Sequence, residues 1–224
     1  MTIGSFGPSF DTLPATLPIF PLPGALLLPG GKLPLQIFEP RYLAMTRDAL
    51  ASDRLIGMIQ PLRQGAENEG LVGHTAELYP IGCAGRITAY SETDDGRYMI
   101  TLTGVCRFAI KKEIPTVGGY RRVVPDFERF RADMDAAATA DVDRQRLLKA
   151  LQAYFAYQKI SIDPGAIVDI PDDKLVTSLA MVCPFEAKEK QALLEAADLA
   201  ERSRVMTALL ELGAFAGPDD GPRH

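Results

Sequence analysis

Apolar and polar residues alternate with two different periods along this chain. From residue 17 to 125 the period is that of strands. Tyr98, Ile100 and Leu102 alternate with Met99, Thr101 and Thr103, and Phe108 and Ile110 alternate with Arg107, Ala109 and Lys111. Side chains two apart share one face of a sheet. Ile81–Ser91 and Arg97–Val105 flank Thr93-Asp94-Asp95-Gly96, and Asp-Gly supplies the positive φ that a tight hairpin turn wants. Shorter extended pieces are expected at Leu17–Phe20, Ala25–Leu28, Leu33–Phe38 and Arg54–Gln60. Gly82, Gly85 and Gly104 lie in or beside strands, where glycine marks bulges or barrel corners. One helix interrupts the strands: Pro40 suits a first helical position, and Tyr42-Leu43-Ala44-Met45 carries it to Leu50. Many short strands with one helix predict a small, closed, mixed-direction β-barrel rather than a doubly wound sheet.

Beyond a charged, alanine-rich stretch at 126–140, expected as a connector, the period becomes helical. Leu147, Leu148, Leu151, Tyr154, Phe155 and Gln158 share one face. A break around Asp163-Pro164-Gly165 follows. Pro171 opens a helix with Asp172 and Asp173 at its positive end and Leu175, Val176, Leu179 and Ala180 as its apolar stripe. Pro184 stops it, and Glu186–Ala196 presents Leu193 and Leu194. Asp198 and Glu201 form a capping arrangement before Val205, Met206, Leu209 and Leu210, and Gly213 is expected at the helix end. The expected organisation is a flexible N-terminus at 1–16, a barrel at 17–125, the connector at 126–140, a helical bundle at 141–213 and a flexible tail at 214–224.

Composition narrows the chemistry. The 224 residues include three cysteines, Cys83, Cys106 and Cys183, an odd set whose gaps fit neither a disulfide framework nor a zinc knuckle. Reduced, buried thiols are expected. His74 and His224 are the two histidines, so His74 is the one candidate general base. Thr12–Gly31 is twenty uncharged residues, but Pro14, Pro18, Pro21, Pro23 and Pro29 forbid a membrane helix there. No Lys or Arg precedes Lys32, so the positive start of an export signal is missing and a cytoplasmic setting is expected. Residues 1–125 carry 12 basic against 11 acidic side chains, and 126–224 carry 12 against 18, giving the net −5 of the chain. That balance provides no global field for nucleic acid or anionic lipid. Gly31-Lys32 is the one Gly-Lys pair, with Leu26 and Leu33 where a P-loop needs glycine and Ser/Thr. G-x-G-x-x-G, G-x-S-x-G, H-E-x-x-H and C-x-x-C are missing too. Ser178 four residues after Lys174 imitates a Ser-Lys dyad, and Asp169, Asp172 and Asp173 imitate a metal cluster. A solvated helix face and helix-start electrostatics explain them. No metal, no cofactor and no catalytic residue is expected.

The order of several motifs resembles a known family. They are Leu17-Pro18-Ile19-Phe20-Pro21-Leu22, Leu28-Pro29-Gly30-Gly31, Leu33-Pro34-Leu35-Gln36-Ile37-Phe38-Glu39-Pro40-Arg41-Tyr42, Ile56-Gly57-Met58-Ile59, Ile81-Gly82-Cys83-Ala84-Gly85-Arg86-Ile87 and Leu102-Thr103-Gly104-Val105-Cys106-Arg107-Phe108. Together with Lys190–Glu195 and Asp198–Arg202 they resemble the N-terminal substrate-binding domain of Lon-type ATP-dependent proteases over residues 17–212. The resemblance implies an α+β fold, with a PUA-like mixed β-barrel carrying one inserted helix ahead of a C-terminal helical bundle. It also implies polypeptide recognition. With the chain ending at His224, a stand-alone, non-enzymatic recognition or adaptor module is expected, without the motor and Ser-Lys peptidase of Lon proteases. The residues that fit a polypeptide-binding face are Leu35, Phe38, Glu39, Arg41 and Tyr42. A proline-studded strand cannot pair fully with neighbours and offers an edge to an extended chain. Phe38 and Tyr42 would serve as anchors and Glu39 and Arg41 as a rim pair. The competing reading makes Leu35, Ile37 and Phe38 barrel core, with Arg41 bracing the helix start. RNA is the alternative partner, through Lys111-Lys112 and Arg121-Arg122, and the acidic balance argues against it.

Overall fold

The structure, a computed structural model, describes residues 9–62, 76–135, 141–159, 167 and 169–215. Six strands form one sheet: β1 (Leu17–Pro21), β2 (Lys32–Ile37), β3 (Leu55–Ile59), β4 (Ile81–Glu92), β5 (Tyr98–Val117) and β6 (Tyr120–Asp126). Their order is β2-β5-β4-β3-β1-β6, and β6 also pairs with β5. The pairings of five strands therefore close into a circuit, and β2 stands outside it. Among the described strands only β1 and β3 pair in parallel; every other pair is antiparallel.

β5 makes this arrangement possible. Its 20 residues meet β4 along one side. On the other side its first part meets β2, Lys32 opposite Thr103 through Ile37 opposite Tyr98, and its last part meets β6. A register shift at Ala84/Gly85 lets the strand bend between the two. The hairpin turn lies at Thr93–Gly96, where Gly96 has φ +78° and its N–H donates to the Thr93 carbonyl at 2.9 Å.

Ala25–Leu28 is not a strand. It is an irregular segment whose Leu26, Leu27 and Leu28 are buried against the sheet. A side chain at Gly104 would meet the Leu28 carbonyl oxygen at 2.0 Å, so the segment lies directly on β5 where glycine leaves room. Helix α1 (Pro40–Leu50) packs Tyr42, Met45, Thr46 and Ala49 inward, with Pro40 in its first turn as expected.

The stretch expected as a connector contributes to the core. Glu128–Met134 forms a 3-10 segment against β5, and Phe127 and Phe130 are buried. Among the described residues the helices that follow include α2 (Arg144–Tyr157), α3 (Asp172–Val182), α4 (Ala187–Glu195) and α5 (Leu199–Phe215). α5 contacts the other three. Asp143 caps α2 by accepting from Arg146 N–H at 3.0 Å, and Asp198 accepts from Glu201 N–H at 2.8 Å at the head of α5. Gly213 does not end α5, which continues to Phe215. A side chain there would meet the Tyr154 ring at 2.6 Å, so its glycine serves a close α2–α5 approach. Gln158, expected on the apolar face of α2, is exposed just past its end.

Buried charge ties the two halves together. Arg107 on β5 lies with Asp133 at 2.8 Å, both nearly inaccessible. Its guanidinium also donates to the carbonyls of Leu194 at 3.0 Å, Ala196 at 2.5 Å and Ala197 at 3.2 Å, between α4 and α5. Arg202 lies close by and donates to the Leu193 carbonyl. Burial, followed by the Arg107 charge, lowers its pKa to about 10.

Candidate functional site

β2 has a partner on one side only. It sits at the end of the strand order, and among the described residues nothing pairs with its other edge. Pro34, opposite Thr101, has no N–H to donate. Antiparallel ladders bond through alternate residues, and Gly104 N–H donates to the Gly31 carbonyl at 2.8 Å at the head of this pairing. Leu33, Leu35 and Ile37 therefore bond to β5, while Lys32, Pro34 and Gln36 turn their backbone groups toward the open edge. A proline at an outward position is the placement an edge strand tolerates.

The structure divides the five residues singled out on this segment. Leu35 is 9% exposed and Tyr42 4%. Both are core, and the Tyr42 ring lies 4.2 Å from that of Phe20, centroid to centroid. Burial raises the Tyr42 pKa. Phe38 is 62% exposed, which corrects the reading that made it barrel core. Glu39 and Arg41 form a local ion pair, Nη2 to Oε2 at 2.6 Å and Nε to Oε2 at 2.9 Å. The pair sets the Arg41 guanidinium 4.6 Å over the Tyr42 ring. Phe38, Glu39 and Arg41 thus share the surface where β2 hands over to α1, and Leu35 and Tyr42 back it from inside.

At the other end of β2 a groove of about 460 Å³ separates the Pro29–Lys32 turn from the outer face of α3. Met181 closes its floor, its Sδ atom lying 2.3 Å from where a Gly31 side chain would begin. Val182, 80% exposed, forms part of its wall. Lys174 and Ser178 both line it, and among the described residues no hydrogen bond joins them. Sequence reasoning missed this groove because its walls are more than 140 positions apart.

Other candidates disperse. His74 lies outside the described residues. Asp172 is tied to Arg144, and among the described residues no three His, Cys, Asp or Glu side chains gather as metal ligands. Of the basic pairs that the RNA alternative would use, three side chains are engaged within the chain. Arg121 is buried, bonded to Glu113 and to the Ala76 carbonyl at 2.7 Å. Arg122 donates to Thr16 Oγ1 at 3.1 Å, and Lys111 faces Asp126 at 3.7 Å. All three cysteines are free and buried. Burial pushes the Cys106 thiol up to about 12 and the Cys183 thiol up to about 11, and raises Cys83 further. No helix among the described residues is long and apolar enough to cross a membrane.

Comparison with known proteins gives these features a context. The family model for the ATP-dependent protease La (LON) substrate-binding domain matches residues 16–211. Among curated relatives, Lon protease 2 of Myxococcus xanthus is 27% identical over 208 residues, covering 89% of this chain and 24% of its own length. The Lon protease of Anaeromyxobacter dehalogenans is 26% identical, covering 89% and 23%. The chain thus spans about a quarter of the length of these relatives. Two solved structures share the fold. A Lon N-terminal domain protein from Xanthomonas campestris has TM-score 0.59 and 21% identity over 86% of this chain and 97% of its own. The N-terminal domain of Mycobacterium avium complex Lon protease has TM-score 0.52 and 16% identity over 87% and 97%. The chain belongs to the Lon substrate-binding domain family.

Proposed function

We propose that this domain recognises polypeptide in extended form by adding it as a further strand to the open edge of β2, with Phe38 as the apolar anchor. The observation that carries the reading is the edge itself. Lys32 and Gln36 turn N–H groups outward that are unused among the described residues, Lys32, Pro34 and Gln36 turn out carbonyls, and a large exposed aromatic residue ends the row. Main-chain bonding of this kind is indifferent to sequence, which suits a module that meets many unfolded chains. The family description as a substrate-binding domain supports the same reading. The closed strand circuit and the helices gathered on α5 support a PUA-like barrel followed by a helical bundle. We read the module as a non-catalytic, cytoplasmic adaptor. Burial holds its three thiols toward the protonated form, and among the described residues no hydrogen bond joins Lys174 and Ser178.

The test is fluorescence anisotropy with a labelled, permanently unfolded protein. Binding at or below tens of micromolar is expected, corresponding to roughly 6–7 kcal/mol. Gln36→Pro removes an outward N–H that β5 does not use, and Phe38→Ser removes the anchor. Each is expected to weaken binding about tenfold while leaving the circular dichroism spectrum unchanged. No binding by the parent, or binding indifferent to both substitutions, would sink the proposal.

A further inference from the structure

Resting on that reading of β2, we propose that the groove at the head of the strand takes an acidic side chain of the bound segment, held between Lys32 and Lys174. The groove lies at the head of β2, with Lys32 in its lining. One wall is the Pro29–Lys32 turn that feeds β2. The other is built from two stripes of α3 at helical spacing, Asp173, Thr177 and Met181 on one and Lys174, Ser178 and Val182 on the other.

Charge identifies the occupant. Lys32 and Lys174 are exposed, one on each wall, and neither takes part in an ion pair among the described residues. Two lysines line one groove in a chain whose net charge is −5. Asp173 is the one acid in the lining, so the groove carries a net charge of +1. That matches a single carboxylate and disfavours a phosphate dianion, which Asp173 would repel. The remaining lining is largely apolar, with Pro29, Met181 and Val182 suited to the methylenes and neighbours of a glutamate.

The backbone decides between a side chain and a chain terminus. Capture of a terminal carboxylate usually relies on free backbone amides. Here Gly30 N–H already donates to the Gly104 carbonyl at 2.9 Å and Gly31 N–H to the Leu28 carbonyl at 2.9 Å, which leaves the Lys32 N–H alone in this turn, where a terminal carboxylate is usually held by several amides. What the groove offers instead is two long, mobile ammonium groups, which tolerate a carboxylate carried on a side chain at varied depth.

The experiment compares fluorescein-labelled Val/Thr-rich peptides with an amidated C-terminus, one carrying a single Glu and the other Gln at the same position. The Glu peptide is expected to bind the parent domain about three- to tenfold tighter, as two partly solvated charge pairs allow. The gap is expected to narrow at raised salt and to vanish in Lys32→Gln/Lys174→Gln. Lys174→Glu is expected to invert the preference toward a Lys-bearing peptide. Equal affinity of the parent for Glu and Gln peptides overturns the inference while leaving strand addition at β2 standing. So does a gap that persists in the double variant, or a preference that follows a free C-terminal carboxylate instead. Failure of both peptides to bind overturns both readings.

Discussion

Replacing Asp133 with asparagine removes the counter-charge from the junction between the sheet and the helices. Asp133 accepts from Arg107 Nη2 at 2.8 Å and Nε at 2.9 Å, and from the Arg107 backbone N–H at 2.9 Å. Arg107 and Asp133 expose only 5% and 8% of their side chains. Arg202, nearby, is already strained toward its neutral form by burial and by the Arg107 charge. Without the carboxylate, two buried guanidinium groups repel each other with little water to screen them. Breaking a buried pair by removing one partner costs about 3–5 kcal/mol. Asparagine keeps one acceptor oxygen, which places the expected loss near the lower end, about 3 kcal/mol. With a urea dependence of about 2 kcal/mol per molar, the unfolding midpoint should fall by about 1.5 M. Equilibrium urea unfolding followed by circular dichroism measures it. Glu128→Gln, at the exposed Arg131–Glu128 pair, is the control and should leave the midpoint in place. A drop of less than about 0.5 M for Asp133→Asn would refute the claim that this charge cluster locks the two halves.

Three further outcomes are expected. Gly213→Ala would gain about 1 kcal/mol from helix propensity on an open face, yet the 2.6 Å approach to the Tyr154 ring reverses the sign. A net loss of about 1–2 kcal/mol by urea unfolding is expected, and a gain would show that the helices separate easily. The buried thiols should resist a thiol reagent at neutral pH in the native protein and all react in denaturant. Because folding raises Cys106 to about 12 and Cys183 to about 11, the unfolded chain loses these protons first, from about pH 8.5. Stability is therefore full below that pH and declines as pH rises toward 11–12, so an unfolding midpoint that rose between pH 8 and 10 would contradict the burial. Phe38→Ser should change stability by no more than about 0.5 kcal/mol, since the ring lies mostly in solvent. A thermal shift of several degrees would mean that Phe38 packs in the core after all.

The parts of the fold legible from the sequence are those written in local chemistry. The alternation at Tyr98–Thr103, the Asp-Gly turn and Pro40 each specify their element through neighbouring residues. Ala25–Leu28 misled because a short apolar run between turns reads the same as a buried strand. Its Leu28 backbone lies against Gly104 of β5 and its Leu27 side chain against Gly85 of β4, both distant in sequence. Gly213 obeyed a contact with Tyr154 rather than the capping rule. A strand was visible at Leu33–Phe38, but the burial of Leu35, named for the binding face, and the exposure of Phe38 depend on where the strand ends relative to the core. Arg107 and Arg121 look like solvated charges, because their partners are supplied by distant segments or by the backbone.

β5 gives the domain a mechanical character. β2 and β6 attach one after the other to the same side of this single strand, so the projecting edge and the closed circuit share a continuous spine of 20 residues. A captured chain that is tugged lengthwise would load several main-chain bonds simultaneously, in shear. The tension then passes down a covalent backbone into the best-buttressed region of the molecule instead of into a loop. A pull at right angles would peel the same bonds apart singly. For a strand added at β2, the strength of the grip would therefore depend on the direction of the tug.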